Sequence, residues 1–247
     1  MSSRPAGELT GLVVVVTGAT GAAGRSCVRA LARAGADVVA VGRDPHRLDA
    51  LFDHLDGVSQ EVADLRERSA CDALAERVRA RSGRIDGLVH LVGGWRGGTG
   101  FTANSDEDFA FLCRTLVDSL RHVTLALHDD LAASADGRAV IVSATATDSP
   151  TPGGANYAAA KAATEGWMRA LAESFRRSQS GAKTDPRPQR SAATILVIKA
   201  LVDDGMRDAN PDKAYGGFTD VHDLARSVVE LFTEEAGDIN GARILLT

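Results

Sequence analysis

Short apolar runs rich in β-branched residues alternate with helical periodicity along almost the whole chain, and this alternation restricts the fold more than any other feature. Buried strands are predicted in "LVVVVT" (residues 12–17), "DVVAVG" (37–42), "GLVHLV" (87–92), "RAVIVS" (138–143) and "ATILVI" (193–198). A weaker strand is read in "GVSQEVA" (57–63), and "ARILLT" (242–247) closes the chain as another. Segments between them, such as "GRSCVRALARAG" (24–35) and "ACDALAERVRARSG" (70–83), carry apolar residues at i, i+3, i+4 and i+7. Parallel neighbours need helix-length crossovers, so the pattern predicts an α/β fold with a doubly wound parallel sheet and helices on both faces.

With 247 residues and 44% hydrophobic content, the chain can bury a substantial core, and one domain spanning 1–247 is expected. Residues 176–193, "RRSQSGAKTDPRPQRSAA", break the rhythm: they are polar and basic, hold two prolines and read as a mobile surface insertion. A formal net charge of −5 provides no broad basic field for nucleic acid or an anionic membrane, and points to small-molecule partners. Cys27, Cys71 and Cys113 are odd in number and far apart, so neither a disulfide framework nor a metal site is indicated. No apolar run reaches membrane-spanning length and "MSSRPAGELTG" has no signal-peptide core, so a reduced, cytoplasmic setting is expected.

The first strand runs into Thr17-Gly-Ala-Thr-Gly-Ala-Ala-Gly24. Gly18, Gly21 and Gly24 allow a tight turn, close approach to a pyrophosphate and packing of the next helix on the strand. The loop around Thr20 and Ala22 then presents helix N-terminal N–H groups to anionic oxygen. A lone glycine triplet is weak evidence, but a strand before and a helix beginning near Arg25 supply the context of a dinucleotide site. The second strand ends in Gly42-Arg43, where a carboxylate for a ribose 2′-hydroxyl could have stood. A guanidinium there suits a 2′-phosphate, so NADP(H) is favoured over NAD(H). Asp64 and Leu65, after the third strand, are candidates to flank adenine, with Asp64 as a simple helix N-cap the competing reading.

Tyr157 and Lys161 are four residues apart, on one face of a helix beginning near residues 153–154. An ammonium roughly 5 Å from a phenol is worth about 3 kcal/mol at an effective dielectric near 20, which would lower the phenol by some two pK units. Such a phenol can exchange a proton with a carbonyl or alcohol oxygen. Ser143, ending the preceding strand, could hydrogen-bond the same oxygen.

These residues carry a resemblance to the short-chain dehydrogenase/reductase family over nearly the whole chain. The matching pieces are "TGATGAAG", "VGRD", "ADL", "VSA", "YAAAK" and "DINGARILL". The resemblance implies a Rossmann-type sheet of seven parallel strands. It also implies Tyr157 as general acid/base, Lys161 as the residue that lowers its pKa and binds nicotinamide ribose, and Ser143 as the group that orients substrate. Gly93 would back the cofactor, and residues 199–204, Val202 among them, would lie beside nicotinamide and pyrophosphate. A homodimer or homotetramer built on the helices near 106–131 and 156–175 is the further implication.

Several positions depart from the family pattern. Asn-Asn-Ala-Gly stands here as His90-Leu-Val-Gly93, the asparagine of the next long helix aligns on Leu116, and Pro-Gly with its later threonine reads Lys199-Ala-Leu-Val-Asp-Asp204, which sets an acid near phosphate. Ser143 precedes Tyr157 by fourteen residues where thirteen is usual, so either the loop has an extra residue or Thr145 substitutes. In "GGWRGG" (93–98), Trp95 is expected to wall the substrate pocket and Arg96 to meet an anionic substrate, against a flexible loop with a packed tryptophan. His90, in an apolar strand, reads as a satisfied core residue, and Trp167 and Met168 as core or subunit contacts.

The expectation is therefore an NADP(H)-dependent oxidoreductase that interconverts a small-molecule carbonyl and alcohol by hydride transfer, with Tyr157 moving the proton. The alternative, motivated by Leu116 and residues 199–204, is a catalytically weakened NADP-binding sensor or partner subunit of the same fold.

Overall fold

The computed structural model describes residues 9–182 and 184–246. Met1 to Glu8, Lys183 and Thr247 lie outside the described residues, and with them the N-terminal reading and the last residue of the predicted closing strand.

The predicted alternation is realised as β1 (Val13–Thr17), α1 (Ala22–Arg33), β2 (Asp37–Gly42), α2 (Pro45–Phe52), β3 (Val58–Val62), α3 (Arg68–Ser82) and β4 (Gly87–His90). There follow α4 (Asp106–Leu112), a π-helical turn (Cys113–Asp118), α5 (Ser119–Ala133), β5 (Arg138–Ala144) and α6 (Ala155–Gln179). After them come β6 (Gly181–Ala182), β7 (Asp185–Pro186), β8 (Ala192–Ile198), β9 (Leu201–Val202) and α7 (Asp204–Ala209). The chain then forms β10 (Thr219–Asp220), α8 (Val221–Leu231), α9 (Ala236–Ile239) and β11 (Arg243–Leu245). Seven strands form one sheet in the order β11-β8-β5-β4-β1-β2-β3, every pairing parallel.

Strand alternation builds two cores. Val13, Val15, Val39 and Val41 join the layer containing Leu74, Leu127 and Phe175, while Val14, Val16, Val38 and Ala40 join the layer containing Leu31, Phe52 and Leu224. Burial on both faces is why these strands read as unbroken valine runs rather than as apolar-polar alternation. Each fully buried valine contributes roughly 1.5–3 kcal/mol before the entropic cost of ordering it.

The sheet order reverses between β1 and β4. The loops leaving the carboxyl ends of these two strands diverge there and open a crevice, the general ligand position in open α/β sheets.

The 176–193 insertion is smaller than the sequence predicts. Residues 176–179 complete α6 because Gln179 continues the buried stripe of Phe175, four residues before it. The return contains the antiparallel ribbon β6–β7. Its base is tied down by Gln179 Oε1, which accepts from the Arg190 and Ser191 amides at 2.9 Å each, and by Gln179 Nε2, which donates to the Ala132 carbonyl.

Candidate functional site

The glycine turn after β1 is held by three different constraints. Gly18 has φ +71°, and a Cβ there would lie 2.7 Å from the Leu91 backbone, so the turn and the end of β4 approach as only glycine permits. A Cβ on Gly24 would overlap the Gly18 carbonyl, which binds the first turn of α1 to the loop. Gly21 caps α1 with extended backbone and is exposed, so the helix N-terminus opens outward. The helix starts at Ala22, three residues earlier than predicted, which puts Gly24 inside its first turn.

Two adjoining cavities occupy the crevice. The first, of about 290 Å³, is lined by Gly18, Thr20, Gly21, Arg43, Asp64, Leu65 and Gly93 of the predicted cofactor set. Ala22 and Gly24 shape the turn without lining this cavity. Arg43 is exposed and forms no ion pair among the described residues, so its guanidinium is free for an incoming anion. Asp64 is not a free carboxylate: Arg66 Nε donates to it at 2.9 Å, and that guanidinium holds its carboxyl at about 2. Arg66, Phe111, Thr115 and Ser119 also line this cavity, and none of the four was singled out by sequence.

The second cavity, of about 520 Å³, is lined by Tyr157, Lys161, Thr145, Trp95 and Lys199 with the apolar Val142, Ala144, Ala146, Ile198 and Leu201. Residues 91–93 line both cavities, so the two form one cleft running from Arg43 to Tyr157.

Lys161 is buried beneath Tyr157, with Nζ 5.9 Å from the phenol ring centroid, and donates to the Val142 carbonyl at 2.7 Å. Burial lowers its ammonium to about 8, with the charge of Glu165 pulling the other way. Burial also raises the Tyr157 phenol above its ordinary value. That direction is opposite to the sequence expectation, because burial desolvates the phenolate.

Ser143 is not in the cavity. Along β5 side chains alternate, so Val142 and Ala144 face the cleft while buried Ser143 faces away, its Oγ donating to Glu165 Oε1 at 2.6 Å. Thr145, on the 3₁₀ turn Thr145–Thr147 just after β5, lines the cavity, and its hydroxyl has no hydrogen bond among the described residues. Glu165 was missed although it lies four residues past Lys161. It is also bound by Arg169 and Arg243, and Arg243 reaches Thr147 Oγ1 at 2.8 Å, so this buried carboxylate anchors the turn that carries Thr145.

Val202 is buried in β9, and its neighbours Leu201 and Lys199 line the cleft. The acid expected near phosphate lines neither cavity, since Asp203 caps α7 through the Met206 amide and Asp204 lies 3.4 Å from His222 Nε2. Leu116 lies in the π-helical turn and packs with Leu112, Ala160 and Tyr157. His90 has both ring nitrogens engaged, by Thr17 Oγ1 at 2.8 Å and Ser119 Oγ at 3.2 Å, and burial lowers it to about 3, so it stays neutral. Arg96, expected to be available to substrate, is bound to Asp108 at 2.9 Å and stacked over Phe111. Met168 is core, while Trp167 donates its indole N–H to Thr124 Oγ1 at 2.8 Å.

This cleft, on this sheet, defines a nucleotide-binding α/β enzyme fold, and comparison with known proteins gives the family. The sequence model of the short chain dehydrogenase family matches residues 12–179. The oxidoreductase UcpA of Escherichia coli K12 is 33% identical over 184 residues, which cover 72% of this chain and 68% of that protein. A short chain dehydrogenase from Salmonella enterica serovar Typhi superimposes with a TM-score of 0.84 at 20% identity, over 99% of each chain. An NADPH-bound short chain oxidoreductase from Pseudomonas aeruginosa PAO1, described as having an atypical catalytic center, gives 0.82 at 22% identity, over 97% of this chain and 96% of that one. The chain belongs to the short chain dehydrogenase family of oxidoreductases.

Proposed function

We propose that this protein is a single-domain NADP(H)-dependent oxidoreductase that interconverts a carbonyl compound and the corresponding alcohol. The observation that carries the reading is the shared wall at residues 91–93, which joins the glycine-turn cavity to the one holding Tyr157 and Lys161. The residues present fit a dinucleotide: Gly18 and Gly24 leave no room for side chains, Gly21 exposes the α1 N-terminus to a pyrophosphate, and Arg43 offers an unpaired guanidinium for a 2′-phosphate. Such a cofactor, when bound, supplies the hydride.

The chain's own residues supply position and proton. Tyr157 gives its phenolic proton to the substrate oxygen in reduction and takes it back in oxidation. Lys161 places positive charge under the phenol and, with an ammonium near 8, can itself exchange protons around neutral pH. Thr145 donates its free hydroxyl to the same oxygen, the part the sequence had given to Ser143. Leu91, Val92 and Trp95 form part of the cleft wall.

The test is NADPH oxidation with a panel of ketones and aldehydes, comparing native protein with Tyr157→Phe. Turnover by the native protein that falls about 10²–10⁴-fold in the variant, with NADPH affinity retained, is the expected result. NADPH binding without turnover of any carbonyl by the native protein would reject the enzyme reading.

A further inference from the structure

Lys199 stands where the family resemblance expects proline, just past β8, and its position in the cleft suggests a use. It is exposed on the wall of the larger cavity and forms no hydrogen bond or ion pair among the described residues. Its Nζ lies beside the turn at Gly217, whose φ of +73° leaves the backbone without a side chain against the ammonium.

Of the carboxylates that follow Lys199, Asp208 and Asp212 are exposed and do not line the cavity, and three others are engaged. Asp203 accepts from the Met206 amide at 2.8 Å, Asp204 faces His222, and Asp220 accepts from the His222 amide and from Arg207. No Asp or Glu lines the cavity, and its other cation, Lys161, is bound to the Val142 carbonyl. In a protein with a formal net charge of −5, a lysine without an ion pair on the wall of an acid-free cavity is not the average surface environment. The remaining wall is largely apolar, from Val142, Ala144, Ala146, Ile198, Leu201 and the exposed ring of Trp95.

The geometry points to an anionic carbonyl substrate, an oxo acid with an apolar body, whose carboxylate is held by Lys199 while its carbonyl lies against Thr145 and Tyr157. This rests on the reading of the cavity as the hydride-transfer site. Lys199 lines the cavity of Tyr157 and not that of Arg43, which separates its role from recognition of the 2′-phosphate. A carboxylate entering a partly desolvated pocket against an ammonium gains a charge-assisted hydrogen bond that an ester of the same shape does not.

The experiment pairs aryl and alkyl oxo acids with their methyl esters, benzoylformate and methyl benzoylformate among them, in NADPH oxidation by native protein, Lys199→Gln and Lys199→Arg. The expected result is an about 10- to 100-fold rise in KM for the acids in Lys199→Gln, with the esters changed less than about threefold and preference for the acids recovered in Lys199→Arg. Equal effects on acid and ester, or a loss of NADPH affinity in Lys199→Gln, would overturn the proposal, the latter because it would assign Lys199 to a cofactor phosphate. If the native protein turns over neither member of any pair nor any other ketone or aldehyde, the enzyme reading fails by itself. The subsite is then judged by quenching of tryptophan fluorescence in the NADPH complex: tighter binding of acid than ester, lost in Lys199→Gln, supports it, and no discrimination overturns it.

Discussion

The Ser143 hydroxyl donates to Glu165 at 2.6 Å and so faces away from Tyr157. One step of strand alternation decides this, since Val142 and Ala144 take the cleft side of β5. Ser143→Ala is therefore expected to keep turnover within about threefold while lowering stability by about 1–3 kcal/mol, the cost of removing a donor from a buried carboxylate. Thr145→Ala should do the reverse, reducing kcat/KM about 10- to 100-fold at nearly unchanged stability. Steady-state kinetics with urea unfolding of both variants separates the two residues.

Arg43 stands at the far end of the cleft with a free guanidinium. Arg43→Ala should weaken NADPH about 10- to 100-fold and leave NADH nearly unaffected, because only NADPH carries the phosphate. Titration of both nucleotides checks it, and equal losses would remove the assignment.

Lys161 is a charge buried in the wall of the cleft. Its ammonium is lowered to about 8 from an ordinary 10.5, so between those pH values the unfolded chain holds a proton that the folded protein has released. Stability from this group therefore rises with pH across that window, by about 3 kcal/mol in total. Lys161→Met should abolish turnover yet unfold at a higher temperature than native protein at pH 7, offset by the lost bond to Val142. The advantage should shrink as pH rises from 8 to 10.5, which thermal melts of both proteins over that range will read.

Gly24 packs the first turn of α1 against the Gly18 carbonyl with no room for a Cβ. Gly24→Ala should destabilise the protein by about 1–3 kcal/mol and weaken dinucleotide binding, since the turn must shift to relieve the contact. Gly83→Ala, at a position with open space around it but φ +71°, should reduce stability through backbone strain while leaving nucleotide affinity unchanged. Denaturant unfolding and nucleotide titration of the pair test this contrast.

Most of the fold was legible because its determinants are local and repeated. Runs such as Val13 to Val16 can be satisfied only by a strand covered on both faces, and Gly18, Gly21 and Gly24 encode a turn whose backbone demands are visible in sequence. Tyr157 and Lys161 were legible for the same reason, since a spacing of four on a helix is a geometric statement. The end of α6 was read too early because Gln179 is polar, although it occupies a buried position with all its hydrogen bonds made inside the protein.

By itself, then, the sequence determined the parallel sheet, the glycine turn and the helix that carries the phenol and the ammonium, all set by periodicity over a few residues. The tertiary structure decided which hydroxyl enters the cleft, which of its cations remain without an ion pair and whether the phenol rises or falls. These depend on a one-residue phase at the end of β5, on carboxylates such as Glu165 and Asp203 already being engaged, and on the burial of the phenol. Each is a balance among groups distant in the chain, and only folding brings those groups into contact.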